Sequence, residues 1–143
     1  MQPVAERAAT RRVLIVDASD ETREVLRILL QRRGLETMES RAARAGLHLA
    51  TSCQPDLVVL DLESVPPEET GLFEQFARQS HGTQTSLVVL GQLPRNPQPD
   101  GPCCVAKPYH YGPLIRKIES LLRLSTADAR EESSGTIPKP IEL

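Results

Sequence analysis

Two aspartates and one lysine carry the chemistry in this chain. Asp17 closes the apolar run VLIV of residues 13–16, and Asp61 closes the run LVVL of residues 57–60. Lys107 follows the run CCVA of residues 103–106 and precedes Pro108. A carboxylate delivered in this way can act as a nucleophile and form an acyl phosphate. The incoming phosphoryl group is strongly anionic, so the site must neutralise charge. A hard divalent cation on oxygen ligands, usually Mg²⁺, does this, and a lysine ammonium adds a point charge. Each residue also has an ordinary reading. A strand-end Asp often caps the next helix, and Lys-Pro is often only a turn. It is their joint spacing that points to a site.

The elements that must position these residues alternate along the chain. Short continuous apolar runs bounded by turn signals read as buried strands. They fall at 11–17, 55–61, 86–91 and 103–106, with a weaker strand at 35–39. Between them lie helical patterns. Val25, Leu26, Leu29 and Leu30 form one stripe after a cap at Ser19 or Asp20, with Arg32 and Arg33 at the end and Gly34 as a stop. Ala43, Leu47 and Ala50 form a second stripe, capped by Ser40 and ended by Pro55. Leu72, Phe73 and Phe76 mark a short third helix. Pro113 opens a last one, with Leu114, Ile115, Ile118, Leu121 and Leu122 on one face. Residues 92–102 hold Pro94, Pro97, Pro99 and Pro102, which a helix does not tolerate, so they read as an extended loop. Strand and helix in alternation predict an α/β domain with a parallel sheet and helices on both faces. In such sheets ligands gather at the carboxyl ends of the strands, where Asp17, Asp61, Gly91 and Lys107 all stand.

The 143 residues suit one domain. Residues 1–10 read as a flexible arm, 11–124 as the domain, and 125–143, rich in Ser, Glu and Pro, as a disordered tail. With 39% apolar residues and no Trp, the core should be aliphatic. A net charge of −2, with both signs mixed along the chain, provides no basic footprint for nucleic acid and no polybasic membrane patch. No apolar run is long enough to span a bilayer, and the N-terminus lacks a secretory apolar segment, so a cytoplasmic location is expected. Cys53, Cys103 and Cys104 fit neither a disulfide framework nor a zinc site. The vicinal pair reads as two small packing residues rather than a redox element. His48, His81 and His110 share no ligand spacing. Tyr109 and Tyr111 either pack on the last helix or belong to a partner surface.

The stretches VLIVD at 13–17, PDLVVLD at 55–61 and KP at 107–108 together resemble the receiver domain of bacterial two-component response regulators, CheY-like proteins, over roughly residues 12 to 124. The resemblance implies a flavodoxin-like, doubly wound five-stranded sheet in the order 2-1-3-4-5. It implies Asp61 as phosphoacceptor and Lys107 as the stabiliser of phosphoryl charge, with a cis peptide at Lys107-Pro108. Mg²⁺ would be held by Asp17, Asp61 and Glu63, the last through its carbonyl or side chain. The implied partners are a histidine kinase or phosphotransfer protein and a downstream protein, in phosphorelay signalling without catalysis of its own.

Several family positions are altered. The family carries two adjacent acids after the first strand, whereas here Asp17 is followed by Ala18. Asp20 or Glu63 could supply a substitute oxygen; otherwise Asp20 belongs to a helix cap and Glu63 faces solvent. Gly91 stands where the family has Thr or Ser, and Cys104 where it has Tyr or Phe, so both halves of the usual switch are changed. The span from Gly91 to Lys107 is short, and the family's fourth helix reads as reduced to a proline-rich loop. Two alternatives follow. The chain could be a pseudo-receiver, a protein-binding module independent of phosphorylation in which Asp17 and Lys107 persist as an ion pair. More remotely, DLES at 61–64 is similar to the nucleophile loop of haloacid-dehalogenase-type phosphohydrolases, with Glu63 in place of the second Asp.

Overall fold

The computed structural model describes residues 10–69, 71–92 and 102–134. The apolar runs form the inner strands, because a strand without polar alternation must be covered on both faces. These are β1 (Arg12–Val16), β3 (Leu57–Asp61) and β4 (Ser86–Leu90), and every residue of β3 is buried. The more polar β2 (Glu36–Ser40) and the three-residue β5 (Cys103–Val105) take the edges. All pairings are parallel, in the order β2-β1-β3-β4-β5. This is the flavodoxin-like order that the resemblance implies.

Among the described residues, four helices connect and cover the sheet: α1 (Asp20–Arg32), α2 (Ala43–Cys53), α3 (Gly71–Thr83) and α4 (Tyr111–Ser134). Alternate residues of each inner strand point to opposite faces, and they sort into two cores. Val13, Ile15, Leu57 and Val59 pack with Leu26 and Leu30 of α1 and with Leu114 and Ile118 of α4. Leu14, Val16, Val58 and Leu60 pack with Ala43 and Ala50 of α2 and with Leu72 and Phe76 of α3. Each fully buried Leu, Ile or Phe contributes about 1.5–3 kcal/mol, and both cores share the β1–β3 pair. The ends of that pair carry Asp17 and Asp61.

Several local expectations change. Ser40 ends β2 and its hydroxyl donates to Ala42 O (2.8 Å), so it does not cap α2, whose N-cap residue is Ala42 with no side-chain bond. The third helix is not short: it runs 13 residues. Helix α4 continues to Ser134, through residues 125–134 that the sequence assigns to a disordered tail. Ser19 does cap α1, accepting from Thr22 N. The N-terminal arm up to residue 9, the proline-rich loop over 93–101 and the tail from 135 lie outside the described residues. Among the described residues, no helix is long and apolar enough to cross a membrane.

Candidate functional site

The order of the sheet reverses at β1, which has β2 on one side and β3 on the other. A crevice opens where adjacent strands send their connections to opposite faces. Val16 lies opposite Leu60, so the next residue of each strand, Asp17 and Asp61, lies at the crevice floor. They are 4% and 5% exposed, low values that identify these carboxylates as built into the fold rather than as surface charges.

Backbone amides and one arginine hold Asp17. Its amide donates to Ser40 O (3.0 Å) and its Oδ1 accepts from Ser19 N (2.9 Å). Arg23 Nη1 donates to the Asp17 carbonyl (2.8 Å) while Nε reaches Glu39 Oε1 (3.2 Å). Burial, and after it the charge of Asp61, holds the Asp17 carboxyl above its usual pKa, against the lowering effect of the Ser19 amide. Two carboxylates thus share a low-dielectric floor.

Lys107 supplies the countercharge. Its Nζ lies 2.5 Å from Asp61 Oδ1 and 3.2 Å from Glu63 Oε1. Oδ1 is buried, and this ammonium is its partner; no other donor reaches it among the described residues. Burial alone would lower the Lys107 pKa. The Asp61 and Glu63 carboxylates outweigh that and raise it, so the ammonium stays charged. The peptide bond Lys107–Pro108 is cis. Asp61 Oδ2 has a different partner, the Ser64 hydroxyl, which donates to it at 2.8 Å and accepts from Ala18 N at 2.7 Å.

The sequence pointed to Asp17, Asp61, Glu63 and Lys107, and all four line one cleft with Ala18 and Ser19. It missed Ser64 and Arg23. The three-residue turn Leu62–Ser64 brings Ser64 within reach of Asp61, and no sequence pattern marks it. Arg23 lies one turn into a capped helix and carries no signal of its own. Asp20 does not enter the site: it pairs with Arg23 and Arg41, whose hydrogen bonds lower its pKa.

No family model matches the chain. Over 82 residues it is 33% identical to the Regulatory protein AtoC of Escherichia coli (strain K12), a stretch that is 57% of this chain and 17% of that protein. The chain therefore spans about a sixth of the curated relative it matches. Among solved structures it is similar to the chemotaxis protein CheY4 of Vibrio cholerae, with TM-score 0.61 and 21% identity over 79% of this chain and 99% of that one. The receiver domain of the Francisella response regulator 1452 superposes with TM-score 0.66 at 16% identity, over 81% of this chain and 99% of that one. The fold is that of a CheY-like receiver domain.

Within this receiver fold the altered positions have local causes. Gly91 has φ +125°, and a Cβ there would sit 3.3 Å from Leu62 Cβ. Position 91 therefore has a backbone that L side chains rarely adopt. Cys104 packs toward the α2–α3 core while Cys103 and Val105 pack toward the other face. Burial, then the neighbouring Cys103, raises the Cys104 thiol pKa. All three cysteines are free. Tyr109 and Tyr111 meet edge to face, with ring centroids 5.6 Å apart, and pack against the α1–α4 core. Burial, then Tyr111 and Asp17, pushes the Tyr109 phenol up to about 12.

Mg²⁺ must be tested against this donor set. Two buried carboxylates, one with a raised pKa, are short of positive charge, and a hard cation fits them. The set is thin, however. Ala18 brings no oxygen and the Glu63 carboxylate is engaged by Lys107. Among the described residues, no three His, Cys, Asp or Glu side chains group to hold a metal ion.

Proposed function

We propose that this chain is a signalling receiver in which Asp61 accepts a phosphoryl group from a histidine kinase or phosphotransfer protein. The observation that supports this reading is Asp61 Oδ1, on a carboxylate buried at the sheet edge with the Lys107 ammonium 2.5 Å away. A nucleophilic oxygen needs an available lone pair and a nearby positive charge for the product. In the step, an Oδ1–P bond forms and the donor's P–N bond breaks. The electron pair leaves on the imidazole nitrogen, and Asp61 becomes an acyl phosphate. Lys107 turns from the carboxylate toward the new phosphoryl oxygens, while Glu63 releases or shares the ammonium. Asp17, Asp61 and the carbonyl of Glu63 would hold Mg²⁺, which supplies further charge neutralisation when bound. A downstream protein then reads the phosphorylated state.

The test is intact-protein mass after incubation with a small phosphodonor, with and without Mg²⁺, beside Asp61→Asn. A phosphate adduct in the wild type that is lost in Asp61→Asn supports the assignment. An adduct at an equal rate in the variant sinks it.

A second reading, a binding module independent of phosphorylation, is favoured by Gly91 and Cys104. Position 91 bears no hydroxyl to meet a phosphoryl group, and position 104 bears no aromatic to follow it. On this reading Asp61→Asn leaves partner affinity unchanged. The phosphohydrolase alternative gains no support, because Glu63, its required second acid, is exposed and paired with Lys107.

A further inference from the structure

Ser64 Oγ joins two loops that are 46 residues apart in the chain. It accepts from the amide of Ala18 at 2.7 Å and donates to Asp61 Oδ2 at 2.8 Å. A serine hydroxyl has one proton, and that proton is committed to Oδ2. The bridge lands on the residue where this chain carries Ala18 rather than a second acid. It makes the two oxygens of Asp61 inequivalent. Oδ2 is held by a neutral hydroxyl fixed in a turn, whereas Oδ1 meets the Lys107 ammonium at 2.5 Å.

We propose that Ser64 is the positioning residue of this site, holding Asp61 Oδ2 so that Oδ1 is the acceptor oxygen and Oδ2 is weakened as a cation ligand. The first half rests on the phosphoacceptor reading above. The second half stands without it, because it concerns only which lone pairs of Asp61 are available. Once Lys107 turns to the incoming phosphoryl oxygens, Oδ1 is freed, whereas Oδ2 keeps the serine hydroxyl and is the weaker nucleophile and ligand. Ser64 keeps its proton throughout: the Oδ1–P bond forms, the donor's P–N bond breaks, and the hydroxyl stays on Oδ2. A serine that only closed the turn after β3 would affect stability and nothing else.

The experiment uses the full chain with Ser64→Ala, and with Ser64→Thr and Ser64→Val as a pair of matched shape differing in the hydroxyl. The chain has no Trp, and its two tyrosines both line the cleft, so tyrosine emission during a MgCl₂ titration reports on the site. The worth of one hydrogen bond to a charged group corresponds to a change of roughly tenfold. Mg²⁺ affinity is expected to tighten by about that factor in Ser64→Ala and Ser64→Val and to hold in Ser64→Thr. Adduct formation with phosphoramidate is expected to slow by a similar factor in the two variants without the hydroxyl. Equal Mg²⁺ affinity in wild type, Ala and Val, or a Thr variant that behaves like Val, overturns the proposal. If no variant forms an adduct yet Mg²⁺ tightens without the hydroxyl, the phosphoacceptor reading fails and the assignment of Oδ2 stands.

Discussion

Lys107 Nζ is shared between a buried carboxylate, Asp61 at 2.5 Å, and an exposed one, Glu63 at 3.2 Å. Removing the ammonium leaves Asp61 Oδ1 buried with neither a hydrogen bond nor an ionic partner. Lys107→Met should therefore lower stability by about 1–3 kcal/mol, toward the low end because Lys107 is partly exposed and water screens the pair. Glu63→Gln removes only the exposed contact and should change stability by about 0–1 kcal/mol. Urea unfolding of both variants checks the ordering, and equal losses would contradict it. The pH dependence follows from the raised Lys107 pKa. The pair's contribution is fully present below the ordinary lysine value and is lost as pH rises through the higher folded value.

Asp17 has the opposite relation to stability. Its folded pKa is raised, chiefly by burial, so at neutral pH the fold bears the cost of keeping it charged. Asp17→Asn should raise the melting temperature at neutral pH, provided the amide still accepts from Ser19 N. The gain should vanish below pH 3.8, the ordinary value for Asp, where both states hold the proton. Melting curves across that range check the sign. A variant less stable than wild type at neutral pH would show that the Ser19 and Lys107 contacts outweigh burial. The retention of a destabilising charge at a sheet edge agrees with a functional role.

The positions of Asp17, Asp61 and Lys107 were legible because the strands that carry them are continuous apolar runs, and a run of that kind has one place in a parallel sheet. Glu63 was legible only as a neighbour of Asp61. Whether it served a cation, solvent or Lys107 depends on a contact between residues 44 apart. Ser64 was not legible at all. Its role arises from the turn Leu62–Ser64 bringing a hydroxyl to Ala18, and no periodicity encodes that. The helical stretch 125–134 was missed because its polar composition lacks an apolar stripe, and pattern reading needs one. Ser40 was misread as a cap because Ser before an apolar stripe is a cap signal. Here the strand keeps it, and its carbonyl accepts from the Asp17 amide instead.

Gly46 sets how closely α2 approaches the site. A Cβ at this position would lie 2.7 Å from Val16 Cγ2, on the residue that precedes Asp17. Val16 is fully buried on the β1–β3 pair, so it has little room to yield. Gly46→Ala should cost about 1–3 kcal/mol through overpacking, well beyond its gain in helix propensity. Gly82→Ala, where a Cβ meets nothing within 4 Å, is the matched control on α3. If Gly46→Ala proves as stable as Gly82→Ala, α2 can shift outward and the site does not depend on that contact.

Gly91 tests whether the missing hydroxyl can be restored by substitution. Gly91→Thr would place a hydroxyl where receiver domains carry one, but the backbone there has φ +125° and Leu62 stands 3.3 Å from any Cβ. A β-branched residue in that region is strained by about 1–3 kcal/mol, and the contact with Leu62 adds to it. The Gly91 amide also donates to Val105 O at 2.8 Å, so relieving the strain would pull on β5. Gly91→Thr is therefore expected to be destabilised by at least about 1 kcal/mol, with Gly91→Ala showing most of the same loss and no hydroxyl effect. Denaturant midpoints of the two variants separate strain from chemistry. If Gly91→Thr matches the wild type in stability while Gly91→Ala does not, the threonine hydroxyl has found a partner in the cleft. The loop would then hold a second conformation compatible with an ordinary switch. Equal losses in both would mean that the backbone at position 91 has itself been rebuilt around glycine, so that any output from Asp61 must leave by another route.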